Sequence, residues 1–442
     1  MIVRVSPSKE QLQPPPARNL EVGGFDDQVN AVLVHNEQLR PSEVAIYNPV
    51  PLAEEDGAWA RPRQGDNSMP EVYGSIPTYG VGVPMWRKMW QFIGPGVMIS
   101  VGYMDPGNWS TDIAGGSAFG YDLLFIVLLA SLLAMFLQSL TVKVGYATRR
   151  DLAQCCRDSY PYYLVVVLWI VQEIAIIACD LAEVIGCAVA LKLLFRCPLI
   201  AGVWVTALDV LIVLFATGKR FRIIEGIVGL LVILITACFA AQIAISHPDP
   251  TAVMKGFAPS SNLFTVPGEM FIAAGIVGAT VMPHNLYLHS SLVLTRNVDV
   301  NDVEATKSAI RYSVIDTIVS LMCALFVNAA ILIVAATTFH GNGYTDIATL
   351  EEAYTLLSPI LGSSAASTIF AVALLCSGQN STLTGTLAGQ IICEGFMNWK
   401  IRPVYRRVGT RLIAIIPAVV VVSVGGDSAV NILLIWSQVR II

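Results

Sequence analysis

Apolar stretches long enough to cross a bilayer as helices follow one another from Trp86 to the end of the sequence. Of the 442 residues, 55% are hydrophobic and only 13% are charged, a composition outside the usual range of a water-soluble domain. We therefore predict an all-α integral membrane protein with about ten spans. The stretches fall into two groups, which are Trp90 to Phe119, Leu123 to Tyr146, Tyr162 to Leu194, Leu199 to Ala216 and Ile224 to Ile245, followed by Glu269 to Leu294, Tyr312 to Phe339, Ser367 to Phe396, Thr410 to Val424 and Val430 onward.

The sequence ahead of these stretches has a different composition. Residues 1–85 lack sustained periodicity, include a run of prolines from Pro14 and carry scattered charges, which predicts a disordered tail before a transmembrane domain over 86–442. The tail has no cleavable signal pattern. Basic residues such as Arg149 and Arg220 occur in alternate connectors, so the positive-inside rule places the tail in the cytosol. The pattern fits a plasma membrane or an endomembrane equally well.

Several classes of protein are excluded by the remaining composition. The net charge is −5 and the basic residues lie in short connectors, so the chain offers no basic surface for nucleic acid. No nucleophile motif, nucleotide-binding loop or cofactor motif appears, and we expect neither enzymatic activity nor a cofactor. The nine cysteines lack metal-ligand or disulfide spacing, and those inside apolar stretches, such as Cys179 and Cys187, are interpreted as small core residues.

The first stretch is interrupted near its middle by Asp105-Pro106-Gly107-Asn108. Proline removes a backbone donor and glycine favours non-helical angles, so the helix is predicted to unwind here. Broken backbone at this depth exposes carbonyl groups that, together with the oxygens of Asp105 and Asn108, are able to bind a cation. The alternative is a kinked helix with a capping aspartate. The cost of placing a carboxylate inside a membrane favours the ion site.

The sixth stretch is interrupted in the same way, from Ala279 to His284. The first stretch of each group leaves from a different side of the membrane, and inverted repeats with discontinuous helices are a transporter architecture. Met282, taken singly, is more typical of core packing, but its place at the symmetry-related break favours a ligand. A thioether suits Mn²⁺, Fe²⁺, Co²⁺ or Cd²⁺ better than Mg²⁺ or Ca²⁺, which predicts a divalent transition-metal ion.

Titratable side chains accompany both breaks. Asp180 and Glu183 are three residues apart on one face of the third stretch, and His284 and His289 flank the second break. Such groups inside a membrane are able to carry protons along with the ion. Alternatively, the two acids pair with a basic residue such as Arg296 or Arg411, and both interpretations can hold together. Asp209 and Asp316 are also acidic residues in apolar stretches, and we interpret both as structural.

Three separated motifs resemble those of the NRAMP family of divalent metal-ion transporters: Asp105 to Asn108, Met282-Pro283-His284, and Gly378 to Gly385 (GQNSTLTG). The resemblance covers roughly Trp86 to Gln438 and is nearer to the bacterial manganese-uptake branch than to animal members. It implies a LeuT-like inverted-repeat fold with discontinuous helices 1 and 6. It also implies proton-coupled uptake of Mn²⁺ or Fe²⁺ towards the cytosol.

The resemblance further implies a role for individual residues. The metal ligands are expected to be Asp105, Asn108, the carbonyl of Ala279, Met282 and, in some states, Gln438. The proton pathway is expected to include Asp180, Glu183, His284, Arg296 and Arg411. The metal ion and the proton are transported rather than held as cofactors, the lipid bilayer is the other partner, and the oligomeric state is left open.

The sequence departs from the family pattern at its carboxyl end. Family members have eleven or twelve spans, whereas this sequence ends at Ile442, shortly after Gln438. We therefore expect a fold that is incomplete after helix 9 to 10. That expectation keeps two other functions open, a truncated non-transporting or regulatory relative and a metal-sensing or signalling membrane protein. Mn²⁺ and Fe²⁺ accept the same ligands, so the sequence does not rank them.

Overall fold

The structure is a computed structural model of the chain. It describes residues 68–70, 72–78, 84–206, 221–299, 302–345, 347, 349–400, 405, 409, 413, 416 and 419. The predictions made for the tail before residue 68, for Asp209, Arg411 and Gln438, and for most of the last two apolar stretches lie outside the described residues.

Helices make up most of the described part of the chain. They are α1 (Met85–Phe92), α2 (Pro95–Gly102), α3 (Pro106–Phe119), α4 (Leu124–Thr148), α5 (Leu152–Ser159), α6 (Tyr162–Phe195), α7 (residues 199–206), α8 (Phe221–Ser246), α9 (Pro250–Gly256), α10 (Asn262–Thr265), α11 (Glu269–Thr280), α12 (Pro283–Leu292), α13 (Val303–Thr338), α14 (Leu350–Leu361) and α15 (Ser364–Met397). Short 3-10 turns occupy Val293–Thr295 and His340–Asn342. Two short strands, β1 (Ile76–Pro77) and β2 (Arg296–Asn297), pair in parallel.

Among the described residues, five helical segments are long and apolar enough to cross a membrane. These segments are Leu124–Thr148, Tyr162–Phe195, Phe221–Ser246, Glu269–Thr295 and Val303–Asn342. They match the predicted second, third, fifth, sixth and seventh stretches. Large apolar side chains on their outer faces, such as Phe136, Ile174 and Leu230, are exposed, as expected for surfaces that contact lipid.

The interrupted helices lie at the centre of the packing. The long helix α13 packs against α2, α3 and α4, and α15 packs against α6, α8 and α12. The helix α15 has the length of a span but carries buried polar side chains from Asn380 to Thr384, which lower its hydropathy. Both predicted breaks are therefore enclosed by helices from the two halves of the sequence.

Residues 68–70 and 72–78 form an extended segment that we call the N-terminal strap. The Met69 backbone N–H donates to Glu394 Oε2 at 2.9 Å, and the Gly74 N–H donates to the Leu294 carbonyl at 3.0 Å. The strand β1 within the strap places Ile76 opposite Arg296. The sequence predicted disorder as far as residue 85, whereas this last part of the tail is held against α15 and β2 by backbone hydrogen bonds that composition does not reveal.

Asp151 is a buried carboxyl at the start of α5, on the connector between α4 and α6. Its side chain accepts a hydrogen bond from the Gln154 backbone N–H at 2.9 Å. Burial raises the pKa of Asp151 from 3.8 to about 6, although hydrogen bonds from Ser68 and Gln154 oppose the change. Since the folded-state pKa lies above the unfolded value, this carboxyl contributes stability below the unfolded pKa and loses it as the pH rises through the folded pKa.

We therefore expect the thermal midpoint of the wild-type protein to fall relative to that of Asp151→Asn as the pH rises from about 4 to about 7, by a few degrees. Asparagine keeps the N-cap of α5 but cannot titrate. Thermal unfolding of both proteins in detergent across this pH range measures the difference. Midpoints that run parallel at every pH would contradict the assignment.

Candidate metal site

The first helix break lies between α2 and α3. The helix α2 ends at Gly102 and α3 begins at Pro106, so three residues between them leave the helical path. Pro106 occupies the first position of α3, where its missing N–H costs no intrahelical bond. A Cβ at Gly102 would run into the Asn285 side chain, so this position accommodates only glycine without a shift.

Polar side chains from α13 and α15 satisfy the backbone carbonyls freed by this break. The Tyr103 carbonyl accepts from Asn328 Nδ2 at 2.8 Å. The Met104 carbonyl accepts from Ser377 Oγ at 2.5 Å and from Trp109 Nε1 at 3.1 Å. Non-helical backbone inside a membrane requires such partners, and these contacts explain why the chain can remain unwound here.

The second break faces the first one. The helix α11 ends at Thr280 and α12 begins at Pro283, which repeats the arrangement of proline at the first helical position. Across the gap, Asn108 Nδ2 donates to the Ala279 carbonyl at 3.0 Å. Thr280 Oγ1 lies 3.3 Å from Asn108 Oδ1. The polar groups of the two breaks thus meet in the interior of the protein.

Four of the five predicted metal ligands lie at these breaks. Asp105, Asn108, Ala279 and Met282 are each at most 1% exposed. Asn108 Nδ2 bridges Asp105 Oδ1, at 2.6 Å, and the Ala279 carbonyl. The fifth predicted ligand, Gln438, lies outside the described residues.

Asp105 also caps α3, as the alternative interpretation required. Its Oδ1 atom accepts the Asn108 backbone N–H at 2.8 Å. The cap uses Oδ1, while Oδ2 lies 3.9 Å from Cys179 Sγ. Capping and ion binding are therefore compatible in one side chain.

The predicted donors are a carboxylate, an amide, a backbone carbonyl and a thioether; the first three are in contact, and Met282 is buried at the N-cap of α12. Within the described ranges, no group of three or more His, Cys, Asp and Glu side chains is arranged to hold a metal ion. A mixed set of this kind suits a divalent transition-metal ion better than a hard cation, because only one of its donors is charged and one is sulfur.

The two acids predicted on the third span are buried beside the first break. Glu183 Oε1 lies 3.7 Å from Cys179 Sγ, and Glu183 Oε2 accepts from Thr382 Oγ1 at 3.2 Å. A Cβ at Gly385 would lie 3.0 Å from Glu183 and 3.6 Å from Asp180. The third sequence motif, Gly378 to Gly385, is therefore the surface of α15 that packs on these acids.

Arg296 lies apart from those acids and forms an ion pair with Glu225 of α8. The Arg296 Nη1 to Glu225 Oε1 distance is 2.6 Å. Arg296 also donates to the carbonyl of Ile93 at 2.8 Å. Arg296 thus pairs with Glu225, while the alternative pairing of Asp180 and Glu183 with Arg411 lies outside the described residues. The predicted role of Arg296 in proton movement stays a prediction.

Asp316 accepts hydrogen bonds from the backbone N–H groups at the start of α2. Its Oδ2 atom lies 3.2 Å from the Gly94 nitrogen and 2.8 Å from the Gly96 nitrogen. This contact agrees with the structural role that the sequence suggested for Asp316. It also places that residue beside the Gly94-Pro95-Gly96 turn, which its position in the sequence did not suggest.

The two histidines of the second break have different surroundings. His284 is buried, and its Nδ1 atom has no hydrogen-bond partner among the described residues. His289 Nδ1 lies 2.8 Å from Gln138 Oε1, and Gln138 Nε2 donates to the Tyr103 hydroxyl at 2.9 Å. A chain of side chains thus links α12, α4 and the first break.

Sequence reasoning missed the contacts of three buried polar residues. Gln138 was visible only as a lone polar residue in an apolar stretch, and Glu225 was indistinguishable from a residue at a membrane interface. Cys179 precedes Glu183 by four residues, and this helical spacing was the available signal for their contact.

Comparison with known proteins gives a consistent result. A family model described as "Natural resistance-associated macrophage protein-like" (Nramp) matches residues 96–441. A divalent metal cation transporter, MntH, from Listeria monocytogenes is 54% identical over 379 residues, covering 86% of this chain and 84% of the relative. The MntH of Bradyrhizobium diazoefficiens is 50% identical over 390 residues, covering 88% of this chain and 86% of the relative.

Solved structures show the same relationship at the level of the fold. The manganese transporter of Eremococcus coleocola has a TM-score of 0.78 and 40% identity, covering 85% of this chain and 80% of that chain. Mhp1, a nucleobase-cation-symport-1 family transporter in a closed conformation, has a TM-score of 0.56 at 12% identity, covering 82% of this chain and 76% of that chain. The latter likeness concerns the fold alone. Together they confirm the predicted LeuT-like fold.

Proposed function

This chain belongs to the Nramp family, and from that premise we propose that it transports Mn²⁺ or Fe²⁺ across a membrane towards the cytosol, with protons as the coupling ion. The relatives reported above are named as divalent metal cation transporters or as a manganese transporter. The observation that carries the proposal is the meeting of two helix breaks at Asp105, Asn108 and Ala279.

The geometry supports a specific way of admitting the ion. The amide nitrogen Nδ2 of Asn108 lies between Asp105 Oδ1 and the Ala279 carbonyl oxygen, within 3.0 Å of both. Asp105 Oδ1 carries negative charge and the Ala279 carbonyl oxygen carries partial negative charge. A cation that replaces the Asn108 amide NH₂ between them is bound by both oxygens. Asn108 then turns its amide so that Oδ1 faces the ion. Met282 supplies a sulfur donor that disfavours Mg²⁺ and Ca²⁺.

Proton coupling is proposed through Asp180 and Glu183. Glu183 is linked to the ion site because the Cys179 thiol contacts both Glu183 and Asp105. His284, buried in the first turn of α12 at the second break, is the further proposed member of this route. A divalent ion at Asp105 repels positive charge from these neighbouring groups, so ion and proton occupancy influence each other.

Alternating access in this architecture arises when one bundle of helices rocks against the others around a site near the membrane midplane. The breaks provide the points at which α2 and α3, or α11 and α12, can move separately. The basic connectors described for the sequence support a cytosolic amino terminus. With that orientation, uptake is directed towards the side on which the chain begins.

Uptake into proteoliposomes tests the proposal. We expect purified protein to move radioactive Mn²⁺ at a rate at least roughly tenfold above protein-free vesicles, and more rapidly with an inward proton gradient. A trapped pH dye reports acidification that depends on Mn²⁺. A roughly hundredfold excess of Mg²⁺ leaves uptake unchanged, because Mg²⁺ is a poor partner for a thioether site.

The possible outcomes separate the alternatives. Mn²⁺ binding without uptake would favour a non-transporting or sensing role. Mn²⁺ uptake without acidification would support the metal ion as the substrate and contradict proton coupling. Strong competition by Mg²⁺ would contradict the proposed class of ion.

A further inference from the structure

The thiol of Cys179 lies between the carboxylate at the first break and an acid of the third span. Its Sγ atom is 3.9 Å from Asp105 Oδ2 and 3.7 Å from Glu183 Oε1. Asp105 Oδ1 is already occupied by the Asn108 backbone and amide groups. The oxygen that faces the thiol is therefore the one that the cap of α3 does not use.

This separation suits binding of one metal ion by both groups. A metal–oxygen bond of about 2.1 Å and a metal–sulfur bond of about 2.3 Å span 3.9 Å when the angle at the metal is about 125°. That angle lies between tetrahedral geometry and the wider angles of more open coordination. The two side chains can thus share an ion without a change in their separation.

The surroundings of Cys179 differ from those of a core cysteine. The sequence suggested a small packing residue, yet the contacts of Sγ at this position are two carboxylate oxygens. On the same helix, Cys187 is also buried but packs against Gly378 and Gln379 of α15. Glu183 lies one helical turn beyond Cys179 on α6 and contacts the same thiol.

We propose that Cys179 is a further ligand of the transported ion and that it sets the preference among divalent metals. The inference rests on the proposed function, since it concerns the ion held by Asp105. With Cys179, the site has a second sulfur donor in addition to Met282. Binding through sulfur requires the thiolate, and the thiol proton passes to Glu183, whose Oε1 atom lies 3.7 Å from Sγ. Thiolate sulfur binds soft ions more strongly than hard ones, so this residue favours Cd²⁺ over Mn²⁺.

The test measures Cd²⁺ and Mn²⁺ affinity by isothermal titration of the full chain in detergent. Cys179→Ser keeps the size of the side chain and replaces sulfur by oxygen. We expect it to weaken Cd²⁺ binding by roughly tenfold or more and to change Mn²⁺ binding by less than about threefold. Cys187→Ser is the matched control, because it makes the same change at a buried position on the same helix, and it leaves the ratio of affinities unchanged.

A spectroscopic measurement on the same folded variants supports the titration. Cd²⁺ bound to thiolate gives a ligand-to-metal charge-transfer band in the ultraviolet. We expect this band in the wild-type protein and in Cys187→Ser. We expect Cys179→Ser to lose part of the band, and Asp105→Asn to lose the same part. This shared loss distinguishes Cd²⁺ bound at this site from Cd²⁺ bound by other cysteines.

Different failures identify which claim is wrong. If both ions bind through Asp105 and the affinity ratio of Cys179→Ser equals that of the wild type, this inference is overturned while the proposed function stands. If neither ion binds to the wild-type protein, both are overturned. A loss of Mn²⁺ affinity in Cys179→Ser equal to the loss for Cd²⁺ would assign the residue to general packing rather than to ion preference.

Discussion

Asp105→Asn is expected to weaken Mn²⁺ binding by roughly a hundredfold or more and to abolish uptake. Asp105 is the charged member of the four predicted ligands within the described residues, and it is fully buried. An amide in its place does not neutralise the charge of a divalent ion and does not offset the free-energy cost of removing water from that ion. Isothermal titration measures the binding, and vesicle uptake of radioactive Mn²⁺ measures the transport.

The same substitution at an exposed cap controls for effects on folding. Asp249 is the N-cap residue of α9, and its side chain accepts the Thr251 backbone N–H at 3.0 Å. Asp249→Asn therefore makes an identical chemical change at a helix N-cap. Asparagine caps helices about as well as aspartate, and both variants should unfold near the wild-type temperature. Mn²⁺ binding that survives in a stable Asp105→Asn protein would remove Asp105 from the site.

Arg296→Met is expected to destabilise the folded protein by about 3 kcal/mol, the lower end for a broken buried pair, because Glu225 loses its closest cation and keeps only the more exposed Arg222 at 2.9 Å. The Arg296 and Glu225 side chains are 0% and 3% exposed. The carbonyls of Gln91 and Ile93 also lose a guanidinium donor. Methionine retains an apolar stem of similar length, so lost packing contributes little. Denaturant unfolding in mixed micelles measures the free energy of unfolding.

Two further variants test whether the loss of stability comes from the buried ion pair. Lys307→Met breaks the exposed pair between Lys307 and Glu304 and should change stability little. The double variant Arg296→Met/Glu225→Leu removes both buried charges and should recover part of the loss. Equal stability of Arg296→Met and Lys307→Met would show that the buried pair contributes no more than an exposed one.

Local sequence was sufficient to predict the helix breaks. Proline at positions 106 and 283 acts on the adjacent backbone, and the structure starts a helix at both residues. The apolar runs likewise predicted the spans, because crossing a bilayer requires a length that can be read from the chain. The residues themselves indicated Asp105, Asn108 and Met282 as ligands, and the family resemblance added the Ala279 carbonyl and Gln438.

Contacts between distant parts of the chain were not predictable in the same way. Arg296 was one of two arginines considered as a partner of Asp180 and Glu183, and it pairs with Glu225, 71 residues away in the sequence. Charge alone does not select among buried partners, since the choice depends on how helices pack. Cys179 was interpreted as core for a similar reason. Its spacing to Glu183 was visible, but its proximity to Asp105 arises only when α3 meets α6.

The N-terminal strap has a mechanical consequence. The Met69 to Glu394 hydrogen bond joins positions separated by 325 residues, so the strap ties the beginning of the described chain to the far end of α15. A force applied to the amino terminus is therefore transmitted first to that bond and to the β1–β2 pair, before it reaches α1. Pulling the chain from this end therefore loads α15 and β2, which both belong to the second half of the sequence, before it loads α1.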